Sequence, residues 1–286
     1  IDRKLKHQKE IEIAKDKYHK KRNPLLHQKI PVKVFAEQDR SALGNMQIDL
    51  VEHCGASATG QFVCTLDATD ISSGWTEQEA VWGKGQENTK QGIDNARRRC
   101  PFTWTEIHSD GGTEFINAHL YAYSVDTGLD FSSSRAYKKN YNCLVEQKNY
   151  THVRRLVGYL RYDTVEELDL INDLYRGPQR LFKNFFCPVI KLISKERNGG
   201  KLRRKYDKPK TPYQRLMDSN EVSNEKKEEL EKIYLSLNPA ELKRQIEKKT
   251  KAIFKCYQVK INSQKVEEKK KISVRFSKIN QTPVSV

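Results

Sequence analysis

The sequence predicts an α/β protein: a mixed five-stranded sheet flanked by helices, followed by a basic, mainly helical C-terminal region. Three observations lead there. Residues 44–82 hold three β-rich runs joined by small-residue turns. After them, strand-like and helix-like segments alternate, so the sheet must contain both antiparallel and parallel pairs. Charge also divides the chain. Residues 1–40 carry 12 Lys/Arg and 6 Asp/Glu, residues 41–190 carry 15 and 19, and residues 191–286 carry 26 and 12. A mildly acidic middle of net −4 is therefore flanked by arms of net +6 and +14, in a chain of 286 residues and net charge +16. We read 1–40 as a basic N-terminal arm or linker, 41–190 as the core, and 191–286 as a basic helical region and tail.

The elements follow in order. Met46, Ile48 and Leu50 alternate with Gln47, Asp49 and Val51, the period of a strand. The small residues from Gly55 to Gly60 form a turn, and Gln61 to Thr69 is a second strand. Ser72-Ser73-Gly74 turns the chain into a third, Gly74 to Trp82, completing an antiparallel meander. Gln86 to Arg99 reads as a helix stopped by Pro101, and Phe102 to His108 as the fourth strand. Thr113 to Val125 is a helix ended by Gly128, and Leu129 to Ser132 a short fifth strand. A polar loop leads to a helix from Cys143 to Leu160, and residues 164–187 give a helix pair broken near Gly177-Pro178. The β-β-β-α-β-α-β-α order is that of the ribonuclease-H-like fold. In the tail, Gly199 to Lys205 reads as a basic hinge, Glu221 to Leu235 as a helix, and Pro239 to Tyr257 as another with Asn238 as N-cap. Its apolar stripe of Leu242, Ile246 and Ile253 is narrow.

Composition excludes several classes. No run of about 18 apolar residues exists, so no transmembrane helix is expected, and the polar start does not read as a secretory leader. An initial Ile suggests that a segment precedes the chain. The six cysteines are widely spaced, without C-x-x-C or zinc-finger histidines, and read as free thiols in a reducing compartment. The basic arms point to a polyanionic partner.

Three carboxylates stand in unusual places. Asp49 lies inside the first strand, where Asp is disfavoured, on the face opposite Met46, Ile48 and Leu50. Asp110 ends the fourth strand before Gly111-Gly112, where open α/β sheets place functional groups. Glu146 lies early in the helix from Cys143, within about 60° of Asn149, Val153, Val157 and Leu160, and is expected to aim at the sheet. Singly, each has a plain explanation: a solvated strand residue, a turn former, a helix-dipole partner. Together, three carboxylates at one sheet edge repel unless a cation sits among them, and hard oxygen ligands select Mg²⁺ or Mn²⁺.

The spacing carries a resemblance. Thirty-five residues separate Asp110 from Glu146. This order and spacing resemble the D,D-35-E group of retroviral-type integrases and of integrase-like transposases of bacterial insertion sequences. The flanking segments resemble it too: Gln47 to Gly55, Ser109 to Asn117, Val145 to Tyr150, and Arg154 to Tyr159. The resemblance implies a DNA transposase or integrase that cuts and joins DNA ends using two Mg²⁺ or Mn²⁺ ions. Asp49 would bridge both ions, Asp110 would complete one shell and Glu146 the other. Water or a DNA 3′-hydroxyl would be the nucleophile. It further implies transposon-end and target DNA as partners, a homo-oligomer on DNA, no membrane, and a bacterial cytoplasmic, nucleoid-associated setting. Where relatives usually have Pro and Asp before the glutamate, this chain has Ala136 and Tyr141. The zinc-binding module of retroviral integrases is missing from the sequence.

Lys138, Lys139, Lys148, Arg154 and Arg155 surround the glutamate, and Lys201, Arg203 and Arg204 open the basic tail; all eight are candidate phosphate contacts. Arg97-Arg98-Arg99 could add to them. His53 and His108, close in sequence to the two aspartates, read as packing residues. Two other readings remain: a catalytically inactive DNA-binding transposase remnant, and a ribonuclease-H-like nuclease acting on RNA–DNA hybrids.

Overall fold

The computed structural model describes residues 30–33, 37–110, 115, 117–134 and 143–279. Strands β1 (Asn45–Glu52), β2 (Val63–Asp70) and β3 (Thr76–Trp82) form the antiparallel meander. Helix α1 (Gln86–Arg99) carries the chain across the sheet to β4 (Glu106–Ser109), which lies parallel to β1. Helix α2 (Ala118–Thr127) leads to β5 (Asp130–Ser133), parallel to β4. The sheet order is β3-β2-β1-β4-β5. Antiparallel on one side of β1 and parallel on the other, this is the mixed, ribonuclease-H-like topology that the element order predicts.

The alternation in β1 sorts its two faces. Met46 and Ile48 enter a core with Leu66, Ile93, Ala96, Ile107, Leu120 and Phe131, covered by α1 and α2. Val51 enters the opposite core with Val63, Val153, Val157, Ile171 and Leu174. That second face is covered by α3, which runs from Cys143–Lys148 through a π-helical stretch, Asn149–Arg154, to a last turn, Arg155–Val157. It is also covered by α4 (Val165–Leu174), started by a Thr164/Glu167 capping box. Burial of both faces explains why all eight β2 residues are buried.

The predicted break at Gly177-Pro178 is a π-helical turn (Tyr175–Gln179) with Gly177 outside helical geometry, leading into α5 (Arg180–Phe186). Gly128 takes the left-handed conformation that caps α2, and Asn117 accepts from the Leu120 N–H at its start, so this helix begins later than Thr113.

The C-terminal region is helical but not only so. Residues 199–205, read as a hinge, form the turn and most of the second strand of a hairpin of β6 (Leu192–Asn198) and β7 (Lys201–Tyr206). An additional helix, α6 (Pro212–Asp218), starts at a capping box of Thr211 and Gln214 with Pro212 in its first turn, a signature present in the sequence and overlooked. Helices α7 (Asn224–Ser236) and α6 close a third cluster around Trp75, where Phe185 and Tyr234 stack on Tyr213 at 5.1 and 4.8 Å. Helix α8 (Pro239–Ile279) outruns its predicted end. Asn238 caps it by accepting from the Ala240 and Glu241 N–H groups. Its stripe of Leu242, Ile246 and Ile253 is buried. No helix among the described residues is long and apolar enough to cross a membrane.

Candidate active site

The sheet register brings the two aspartates together. Ile48 pairs with Ser109, the last residue of β4, so Asp110 follows directly beyond the strand end, near enough to Asp49 for its charge to act on it. Register partners point to the same face, and adjacent strands lie about 4.8 Å apart. On the other side, Asp49 pairs directly with Asp67 of β2. Asp67 and Asp49 therefore stand side by side on β2 and β1, on the face covered by α3, with Asp110 near them beyond the end of β4.

Two polar side chains of β1 hold α3 over this face. Gln47, fully buried, accepts through its Oε1 from the Leu144 and Val145 N–H groups at 3.2 and 3.4 Å, serving N–H groups that the helix itself leaves without partners. Asn149 donates from Nδ2 to Asp49 Oδ2 at 2.6 Å. Glu146, one turn before Asn149, is thereby set beside the aspartates. It is exposed, which corrects the expectation that it points inward. Val153 and Val157 are buried as expected, but Val145, Lys148 and His152 fill the rest of the buried face, because the π-helical stretch breaks the 100° phase on which the expectation relied.

Electrostatics tie the three predicted carboxylates together. Burial, then the charge of Asp110, push the Asp49 acid up to about 7, with Glu146 adding to the rise. Hydrogen bonds from the Leu50 N–H (2.8 Å) and Asn149 oppose it. Asp67 is pushed up to about 8, mainly by burial and partly by Asp49. The positive field of Lys148 works against that rise.

Lys148 is 7% exposed, which corrects its reading as a phosphate contact: its charge faces Asp67 under the helix. Arg154 spends its guanidinium on the Glu52 carbonyl (2.9 Å) and the Tyr159 ring (4.7 Å to the centroid). Arg155 is exposed, as are Lys201, Arg203 and Arg204 on β7. Lys138 and Lys139, with Ala136 and Tyr141, lie outside the described residues. Arg99 is held by Glu77 (3.3 Å) and Glu79 (2.8 Å) and is not available to a phosphate. His53 is fully buried against Thr65 Oγ1 at 2.7 Å, and burial pushes its pKa down to about 3. His108 bonds Ser132 and Ser134. Both therefore have the packing roles expected. Cys54, Cys64, Cys100, Cys187 and Cys256 are free thiols.

Asp67, Gln47 and Asn149 were not selected from the sequence. Asp67 carried the same signal as Asp49, an Asp in the interior of an apolar run. Gln47 and Asn149 carried none, because their roles exist only across 97 to 100 residues of chain.

As a ligand set, Asp49, Asp110 and Glu146 suit a hard divalent cation: all donors are carboxylate oxygens, and the anion of Asp49 is disfavoured first by burial and then by Asp110. Among the described residues, no group of three or more His, Cys, Asp or Glu is gathered tightly enough to hold an ion as it stands. Asp110 and Glu146 are both exposed.

No family model matches the chain. The uncharacterized protein y4rM of Sinorhizobium fredii is 36% identical over 186 residues, which is 65% of this chain and 53% of that protein. The chain thus spans about half the length of this relative. Among solved structures, the catalytic core domain of BIV integrase is similar over 61% of this chain and 94% of its own, at 18% identity and a TM-score of 0.39. A simian T-cell lymphotropic virus intasome, in complex with a PP2A regulatory subunit, is similar over 55% of this chain and 52% of its own, at 12% identity and a TM-score of 0.42. The HTLV-2 integrase catalytic core domain, in complex with magnesium, is similar over 51% and 88%, at 16% identity and a TM-score of 0.37.

Proposed function

We propose that the chain is the catalytic core of a DNA transposase or integrase of the bacterial insertion-sequence type, cutting and joining DNA ends with divalent metal ions. The observation that carries this reading is the convergence on Asp49 of the charges of Asp110, just past the end of β4, and of Glu146, whose helix is fastened over Asp49 by Asn149. Asp49, Asp110 and Glu146 would hold two Mg²⁺ or Mn²⁺ ions, which when bound polarise the phosphodiester and lower the pKa of the attacking hydroxyl. The chain's own part would be to fix Asp49 on β1, Asp110 at the end of β4 and Glu146 on α3. Transposon-end and target DNA are the substrates, with Arg155 and the β7 cations on the phosphates. The protein would work as a homo-oligomer on DNA, within a bacterial nucleoid.

Asp110→Asn tests the reading. Metal-dependent nicking and strand transfer on end-containing oligonucleotides should fall at least a hundredfold, with duplex binding in EDTA and thermal stability unchanged. Full strand transfer by the variant would exclude this mechanism. A second reading, a DNA-binding remnant without catalysis, draws on the looseness of the carboxylate group. It predicts no nicking by the parent chain under any Mg²⁺ or Mn²⁺ concentration, with duplex binding intact.

A further inference from the structure

We infer that the β6–β7 hairpin is a DNA-reading ribbon that enters a groove of duplex DNA. The inference deepens the reading above and rests on it: it names the element that grips DNA and the form of DNA gripped.

Among the described residues, the hairpin's hydrogen bonds and ion pairs to the body lie at its base. Val189 and Lys210 exchange backbone hydrogen bonds at 2.9 and 3.3 Å. Asp207 accepts from the Lys191 N–H at 2.6 Å and pairs with Arg215 at 2.7 Å, while Arg40 donates to the Leu192 carbonyl at 3.0 Å. Beyond that base, every residue of the two strands from Lys195 to Tyr206 is exposed. A two-stranded ribbon with no packed face is marginal in water. This one also concentrates like charge: residues 192–206 contain six cations and one carboxylate. None of these six cations is in a salt bridge with a described residue. A solitary, self-repelling ribbon is what an anionic partner would stabilise.

Register decides the shape of that partner. Lys195 pairs with Arg204, and Arg197 with Leu202, on one face; Ser194 with Lys205, Glu196 with Arg203, and Asn198 with Lys201 lie on the other. Cations stand on both faces, three on each. A flat anionic surface would use one face and leave the other repelled. A groove with phosphates along both walls uses both. The dimensions agree: six or seven residues at about 3.3 Å each give a ribbon of roughly 20 Å, and the DNA major groove, about 12 Å wide, admits a two-stranded β-ribbon. The tip is Gly199-Gly200, with Gly199 at φ +60° and no atom within 4 Å of either glycine's missing Cβ, so it presents bare backbone to the groove floor.

The test uses the full chain in EDTA and a labelled 30-bp duplex, followed by fluorescence anisotropy across a salt series. One variant replaces Lys201, Arg203, Arg204 and Lys205 by Gln; a second carries Lys195→Gln and Arg197→Gln. The first should bind at least tenfold more weakly, and its log–log salt slope should be shallower by about 3 to 4, since each phosphate contact contributes roughly 0.9. The second should lose about half as much slope, and it keeps the test intact if the first does not fold. A single-stranded 30-mer should bind the parent chain more weakly and respond less to either variant. Parental affinity and slope in both variants would overturn the inference, and so would equal losses on the single strand. Failure of the catalytic reading looks different: it would leave these binding losses in place while no metal-dependent nicking occurs.

Discussion

Asp49 is held in a field that opposes its own charge, and removing that charge should stabilise the metal-free protein. The perturbation is Asp49→Asn. The acid stands at about 7 in the fold against 3.8 for the ordinary group, raised by burial first and by Asp110 next. A carboxyl group raised in this way favours folding fully below about 3.8, and the advantage is lost as pH rises through about 7. At pH 8 the parent chain therefore pays to ionise Asp49 within the fold, at most about 4 kcal/mol at 1.36 per pH unit. The side chain is only partly buried, so solvent should reduce this to roughly 2 kcal/mol. The replacement fits. The Leu50 N–H keeps its carbonyl acceptor, and the Asn149 amide, whose buried Oδ1 has no partner, can turn to accept from the introduced NH₂. The assay is urea unfolding in EDTA at pH 8 and pH 4. The variant should be more stable at pH 8, with an unchanged m value, and the gap should close towards pH 4. Added Mn²⁺ should then raise the parent's midpoint more than the variant's, because only the parent gains the cation's relief of repulsion. A variant equally or less stable at pH 8 would refute the argument that burial and Asp110 disfavour the Asp49 anion.

Two further substitutions probe the frame around the site. Gly44 sits at φ +93° before β1, and a Cβ there would lie 2.4 Å from the Thr103 carbonyl oxygen; Gly44→Ala should cost about 2 kcal/mol or more, and an unchanged melting temperature would contradict this. Lys260 of α8 reaches Glu167 at 2.7 Å and Asp163 at 2.8 Å, with Glu167 fully buried. Lys260→Met should destabilise by roughly 3 kcal/mol and hasten proteolysis of α8, and adding Glu167→Gln should recover part of the loss. A single variant as stable as the parent would show that the tail is not anchored there.

Much of the fold was legible because it rests on local signals. The β1 alternation, the small-residue turns, the Gly128 stop and the Asn238 cap each involve residues within a few positions of one another. The candidate site was legible in part, since Asp49 and Asp110 sit where strand pattern and turn chemistry mark them. The direction of Glu146 was misread, because a π-helical stretch shifts the phase on which periodicity arguments depend. Lys148 was misread for a related reason: a lysine in a helix reads as solvated until the face beneath it is known to carry a buried aspartate. The Gly199-Gly200 segment was read as a hinge, although its flanking residues are as compatible with a two-residue hairpin turn.

By itself the sequence determined the strand order, the division of charge, and the identity of three carboxylates whose spacing resembles that of integrase-type enzymes. Those properties follow from composition and local backbone preference, which act along the chain. Tertiary structure alone decided that Asp67 stands beside Asp49 with Asp110 near them, that Gln47 and Asn149 fasten α3 above this face, and that the tail's densest charge stands on a free ribbon. Those depend on sheet register and helix phase, which are set by which faces the whole chain can bury at once.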